Sequence, residues 1–268
     1  MTRADTWVGP LCVFSGMTFL DNLSAAVRST RSVLCVGLDP DPARLTTPVE
    51  DHCRRVIDAT LPYAVAYKPN LGFFEALGPD GLRVFERVLS HIPADRITIA
   101  DAKRGDIGTT ADRYAHAFFN EFKVDAVTVN PLMGLDTVLP FLNDPTKAAF
   151  VLTLTSNPGA ADYLFELAPR IAASLGALST AGHAGMVIGA THPDVIAGIV
   201  AKHPHGTLLI PGVGTQGGSI SELRVALAAH PGIPLVNVTR DIFYATDPAG
   251  RAKQYHDELM AIAERHCG

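Results

Sequence analysis

The chain has 268 residues, with 22 Lys and Arg against 27 Asp and Glu, a formal net charge of −5 and 47% apolar residues. That balance excludes a disordered or solvating acidic chain. The absence of Lys/Arg blocks excludes nucleic acid as the main partner but leaves room for a small anionic ligand held by local cations.

Residues 1–16 contain an apolar stretch from Trp7 to Phe14, but Asp5 and Pro10 break the pattern of a signal peptide. Met17 offers a second start, because helical periodicity begins at Phe19. Residues 1–16 are therefore expected to be a loosely ordered extension, and 17–268 one domain, since no Gly-, Ser- or Pro-rich linker divides them. A leading helix is expected near 19–30. Short aliphatic runs then recur at Val33–Leu38, Ala64–Lys68, Ile97–Ala102, Ala126–Val129, Ala149–Leu154, Gly185–Ile188, Thr207–Ile210 and Leu235–Val238. Between them lie amphipathic segments at 48–61, 109–122, 135–142, 193–202, 219–230 and 248–265. Two more are marked by Leu82, Phe85, Val88 and Leu89, and by Leu164, Leu167, Ile171 and Leu175. Proline near the first turn supports several helix starts, as at Thr47-Pro48, His192-Pro193 and Asp247-Pro248.

Strands that are apolar on both faces and alternate with helices predict a parallel sheet with crossover helices. The pattern fits an α/β fold, a single-domain (β/α)8 TIM barrel, with a doubly wound open sheet as the competing architecture. No uninterrupted apolar run approaches the roughly 18 residues of a membrane helix. Cys12, Cys35, Cys53 and Cys267 form no metal or C-x-x-C spacing and read as reduced thiols of a cytoplasmic protein.

In such a barrel the chemistry sits where the strands end. Here the first strand ends in Asp39, the second in Lys68, the third in Asp101-Ala102-Lys103 followed by Asp106, the fifth in Thr155-Ser156 and the eighth in Thr239-Arg240. Strand alternation sends Asp101 and Lys103 the same way, so both can face one bound molecule. Any one of these charges alone would read as a solvated loop residue, but a row of them at consecutive strand ends reads as a site.

Pro211-Gly212-Val213-Gly214-Thr215-Gln216-Gly217-Gly218 follows the seventh strand, where barrels of this type bind phosphate through backbone N–H groups. Arg240 can add a guanidinium to the same phosphate. The run is not a Walker loop. The histidines match no zinc spacing, and Ser156 lacks the G-x-S-x-G elbow of a nucleophile, so its hydroxyl reads as a hydrogen-bonding group for a ligand. Asn130 and His192 also follow strands, without an assigned role.

Asp101-Ala102-Lys103-Arg104-Gly105-Asp106-Ile107 resembles the D-x-K-x-x-D-[IV] motif of orotidine 5′-monophosphate decarboxylases. Leu34-Cys35-Val36-Gly37-Leu38-Asp39-Pro40, Tyr67-Lys68-Pro69-Asn70, Thr155-Ser156-Asn157-Pro158-Gly159 and the Pro211–Gly218 run resemble further segments of the longer bacterial branch, in the expected order. The resemblance implies a cofactor-independent, metal-free enzyme in which Lys103 protonates C6 of the pyrimidine and Asp101 faces the departing carboxylate. It implies that Lys68 bridges Asp101 and the ribose, that Asp39 binds a ribose hydroxyl and that Ser156 meets the pyrimidine amide edge. Gln216, Arg240 and backbone near Gly214 and Gly217 would hold the phosphate. Asp106, with Thr110, would cross into a partner's site, which implies a homodimer with shared active sites. Thr239 stands where many relatives have glycine. Two alternatives remain: a metal-dependent phosphosugar enzyme on the same barrel, disfavoured by Lys68 where a cation would sit, and a non-catalytic nucleotide sensor.

Overall fold

The structure, a computed structural model, describes residues 16–178, 182–214 and 217–267. Apart from Gly16, the expected N-terminal extension lies outside the described residues, and so does Gln216. Eight parallel strands close into a barrel in sequential order. They are β1 (Leu34–Leu38), β2 (Ala66–Pro69), β3 (Ile97–Arg104), β4 (Ala126–Val129), β5 (Ala148–Leu154), β6 (Ala184–Ile188), β7 (Leu208–Ile210) and β8 (Pro234–Val238). β8 pairs with β1, Asn237 opposite Cys35, so no edge remains and the open-sheet alternative is excluded. The fold is the expected (β/α)8 barrel.

Around the strands lie α1 (Phe19–Thr30), α2 (Val49–Thr60), α3 (Leu71–Glu75), α4 (Gly81–His91), α5 (Gly108–His116), α6 (Leu164–Leu178), α7 (Pro193–Val200), α8 (Ile220–Ala226), α9 (Arg240–Phe243) and α10 (Pro248–Ala263). α1 begins where Thr18 and Asp21 form a reciprocal capping box, and it buries Phe19, Leu23, Ala26 and Val27 on one face. Among the described residues no helix is long and apolar enough to cross a membrane.

Three local expectations need correction. The segment 135–142 forms two 3-10 turns, Leu135–Thr137 and Leu139–Leu142, rather than one helix. Gly134 enters it at φ 117°, and Pro140 has no N–H to continue a helical ladder. The helix expected over 109–122 is α-helical only to His116 and continues as a π-helical turn, Ala117–Glu121. The short helices α3 and α9 were not expected; α9 carries Arg240 at its first position, beside the barrel mouth.

The floor of the barrel, at the N-terminal ends of the strands, buries polar groups as neutral rings. His203 Nε2 donates to Ala184 O at 2.7 Å, and His230 Nε2 donates to Gly206 O at 2.9 Å. Burial pushes the pKa of both below the ordinary value, that of His230 to about 4. His230 Nδ1 is buried with no partner among the described residues, so a second ring proton would have no acceptor.

Candidate active site

The mouth holds a cavity of about 290 Å³. Asp39, Lys68, Asp101, Lys103, Ser156 and Arg240 all line it, as expected from their strand-end positions. Lys68, at the end of β2, is 5% exposed and Asp101 on β3 is 8% exposed. Lys68 Nζ donates to Asp101 Oδ2 at 2.5 Å. Lys103 Nζ donates to the other oxygen, Oδ1, of the same carboxylate, and the Lys103 side chain remains 49% exposed. One carboxylate thus separates two ammoniums, one buried and one reaching the open cavity.

Burial alone would neutralise Lys68 and Asp101, and mutual attraction prevents it. For Lys68, burial lowers the pKa, but the Asp101 and Asp39 carboxylates outweigh it and hold the ammonium above its ordinary value. For Asp101, burial raises the pKa, but Lys68 and Lys103 outweigh it and hold the carboxyl well below the usual range. Asp39 differs: burial dominates and its pKa is raised, although Lys68 and an Asn70 hydrogen bond pull it down. Asp39 Oδ1 is buried without a hydrogen-bond partner among the described residues. An ionisable oxygen so placed at a cavity wall is built to accept a hydrogen bond from something that enters.

Lys103 does reach Asp101, but not through the regular strand pleat. The β3–β4 register runs Ala100 opposite Val127 and then Arg104 opposite Val129, so β3 bulges between them. Lys103 sits in the bulge at φ 49°, in the left-handed region. Thr128 on β4 receives the displaced backbone: its Oγ1 accepts from Ala102 N at 3.0 Å and from Lys103 N at 2.9 Å.

The β7 and β8 ends are arranged differently. Gly212 and Val213 line the cavity, whereas Gly214 and Gly217 do not. Gly214 has φ 81°, and a Cβ there would stand 2.5 Å from the Tyr255 hydroxyl, so the turn requires glycine. Gly217 N donates to Gly214 O at 2.9 Å, closing the loop on itself. Asp241, next to Arg240, is paired with Arg251 at 2.5 Å rather than with Arg240. Thr239 fits because β1 has glycine opposite it: a Cβ on Gly37 would come within 2.0 Å of Thr239 Oγ1. Tyr244, the residue capping α9, donates to Asp39 O at 2.6 Å and accepts from Asp41 N at 3.0 Å, which ties the Arg240 helix to the β1 end.

Asp106 and Thr110 are not brought into this cavity. Asp106 Oδ1 accepts from Ile107 N at 2.8 Å, and Thr110 is exposed on α5. Among the described residues no group of three or more His, Cys, Asp or Glu side chains could hold a metal ion.

A family model described as Orotidine 5′-phosphate decarboxylase / HUMPS family matches residues 32–255. The chain belongs to that family. The orotidine 5′-phosphate decarboxylase of Herpetosiphon aurantiacus is 41% identical over 243 residues, covering 85% of this chain and 90% of that protein. That of Roseiflexus castenholzii is 39% identical over 268 residues, covering 91% and 98%. The structure of Leishmania donovani OMP decarboxylase superposes with a TM-score of 0.82 at 38% identity, covering 92% of this chain and all of that one. Leishmania donovani UMP synthase superposes with a TM-score of 0.83 at 38% identity, and this chain spans 57% of its length.

In this chain the residue types at the strand ends are readable from motif. The wall residues between them are not. Thr128, Asn237 and the apolar Leu152, Val187 and Leu209 line the cavity without having been singled out. For Thr128 and Asn237 a signal did exist: each is a polar residue within an otherwise apolar strand, and both are buried.

Proposed function

We propose that this protein converts orotidine 5′-monophosphate to uridine 5′-monophosphate and CO2, a step of pyrimidine biosynthesis. The observation that carries the reading is the Lys68–Asp101–Lys103 row, with Lys68 and Asp101 buried, beside Asp39, whose Oδ1 has no partner among the described residues, in one cavity with Arg240. Breaking the bond from C6 to the carboxylate leaves an electron pair on a carbon with no adjacent sink, so the site must stabilise charge that arises in the transition state. The Lys103 ammonium does this and then delivers its proton to C6. Asp101 orients Lys103 and faces the substrate carboxylate. Lys68 bridges Asp101 and the ribose, Asp39 accepts from a ribose hydroxyl and Ser156 meets the pyrimidine amide edge. Arg240 holds the phosphate with Gln216 and the backbone at the β7 end, where Gly212 and Val213 rather than Gly214 and Gly217 line the cavity, and binding that remote group aligns the charges.

The same reading makes the protein a homodimer with shared sites. Asp106 and Thr110 lie outside their own cavity, and Ile107, Leu132 and Met133 expose apolar surface near them, which a second copy would cover. Mixing Lys103→Ala and Asp106→Ala proteins, each inactive, should restore activity through hybrid sites; no restoration would mean that Asp106 acts elsewhere. The compartment we assign is the cytoplasm, supported by the unpaired Cys35, Cys53 and Cys267.

The deciding experiment is the ultraviolet absorbance change of orotidine 5′-monophosphate on adding purified protein, with and without EDTA. Turnover that survives EDTA supports a cofactor-independent decarboxylase. Turnover lost in EDTA points to metal-assisted chemistry, and binding of uridine monophosphate with no turnover points to a nucleotide sensor.

A further inference from the structure

We infer that Thr128 is a positioning residue for this reaction, the hydroxyl that sets Lys103 and Asp101 against each other. The inference rests on the decarboxylase reading above. Thr128 is 2% exposed and is the polar residue of the short strand β4. Its Oγ1 accepts from two consecutive backbone groups, Ala102 N at 3.0 Å and Lys103 N at 2.9 Å, and donates to Asp101 Oδ1 at 3.0 Å. A hydroxyl has one proton to give and two lone pairs to fill, so its capacity is complete. It has nothing left to offer a substrate, although it lines the cavity.

Each of the three bonds answers a requirement of the bulge. Between Ala100 and Arg104 the β3 backbone leaves the regular ladder, and the N–H groups of Ala102 and Lys103 would otherwise lack partners. Lys103 holds φ 49°, a conformation that side chains of its kind rarely adopt and that persists only where the surroundings over-determine it. That turn directs Nζ back onto Asp101 Oδ1, where the Thr128 proton also arrives. With Lys68 on Oδ2, the Asp101 carboxylate is engaged on both oxygens. One side chain therefore ties the backbone that aims the proton donor to the carboxylate that orients it, as accurate placement of reacting groups requires.

The test compares Thr128→Val, which keeps the shape and removes the hydroxyl, with Thr128→Ser, which keeps the hydroxyl and removes the methyl. The readouts are kcat on orotidine 5′-monophosphate and the Kd of uridine 5′-monophosphate. The valine variant should lose about 10- to 100-fold in kcat, the weight of hydrogen bonds to a charged group. Its product affinity should stay within about threefold, and the serine variant should stay within about threefold on both readouts. Wild-type kcat in the valine variant would overturn the inference, as would kcat and product affinity falling together, or serine failing to rescue. If the valine variant does not fold, Thr128→Ala gives the same comparison with space left in place of the methyl groups. Absence of turnover in the wild-type protein would instead overturn the decarboxylase reading itself, so the two failures are distinguishable.

Discussion

The mouth and the floor of this barrel both bury polar side chains, by opposite means. At the mouth, Lys68 and Asp101 stay charged because each is the other's counter-ion, at 2.5 Å. At the floor, His203 and His230 stay neutral, each donating one ring N–H to a backbone carbonyl. The His203 bond ties β6 to the segment before β7, the His230 bond ties the segments before β7 and β8 to each other, and a neutral imidazole suffices for both. The mouth groups bear a desolvation cost that structure alone does not require, since well-packed apolar residues often stabilise as much as a buried ion pair. Charge kept at that cost, in an open cavity, marks function.

Removing the reaching cation gives the sharpest form of this contrast. Lys103→Ala should reduce turnover of orotidine 5′-monophosphate by about 10²- to 10⁴-fold or more while uridine monophosphate still binds and Tm barely moves. A collapse of Tm with product binding would show that the mouth is a structural network like the floor. Lys68→Met should affect stability and activity together, costing about 3–5 kcal/mol because Asp101 keeps its burial and loses its buried partner; denaturant unfolding reads this directly. Arg240→Ala should raise KM by about 10- to 100-fold with much less change in kcat. An equal loss on a phosphate-free nucleoside substrate would break the phosphate assignment.

The smallest effect is in the pH dependence of stability, where the two regions separate on the pH axis. His230 has its pKa lowered from 6.5 to about 4 by burial, opposed by its bond to Gly206 and helped by His203, His266 and Arg265 nearby. Between those values the unfolded chain binds the proton and the folded one does not, so stability falls as pH drops from 6.5 toward 4. Asp101, held below its ordinary 3.8, contributes stability that is present above that value and is lost only as pH falls further. Tm measured from pH 7 downward should therefore decline first through the floor. His230→Gln should flatten that decline above pH 4 and leave the steeper loss below it. An unchanged profile would place the acid sensitivity elsewhere.

The elements that could be read from sequence were those that repeat a simple pattern. Eight aliphatic runs became the strands of the barrel with shifts of a few residues at most. Asp39, Lys68, Asp101 and Lys103 were found because strand ends in a barrel converge. The departures arose where backbone geometry overrode side-chain pattern, as at Gly134 and Pro140, or where a helix of only one turn such as α9 leaves too short a trace to recognise.

By itself, then, the sequence determined the alternation of strands and helices and the charges at the strand ends, because periodicity and position along a strand are local properties of the chain. Tertiary structure alone decided the β3 bulge, the left-handed Lys103 and the saturation of Thr128. It also decided the fit of Thr239 over Gly37 and the exclusion of Asp106 from its own cavity. Each of these depends on which neighbour supplies a hydrogen bond or vacates a volume, and those neighbours lie far apart in the chain.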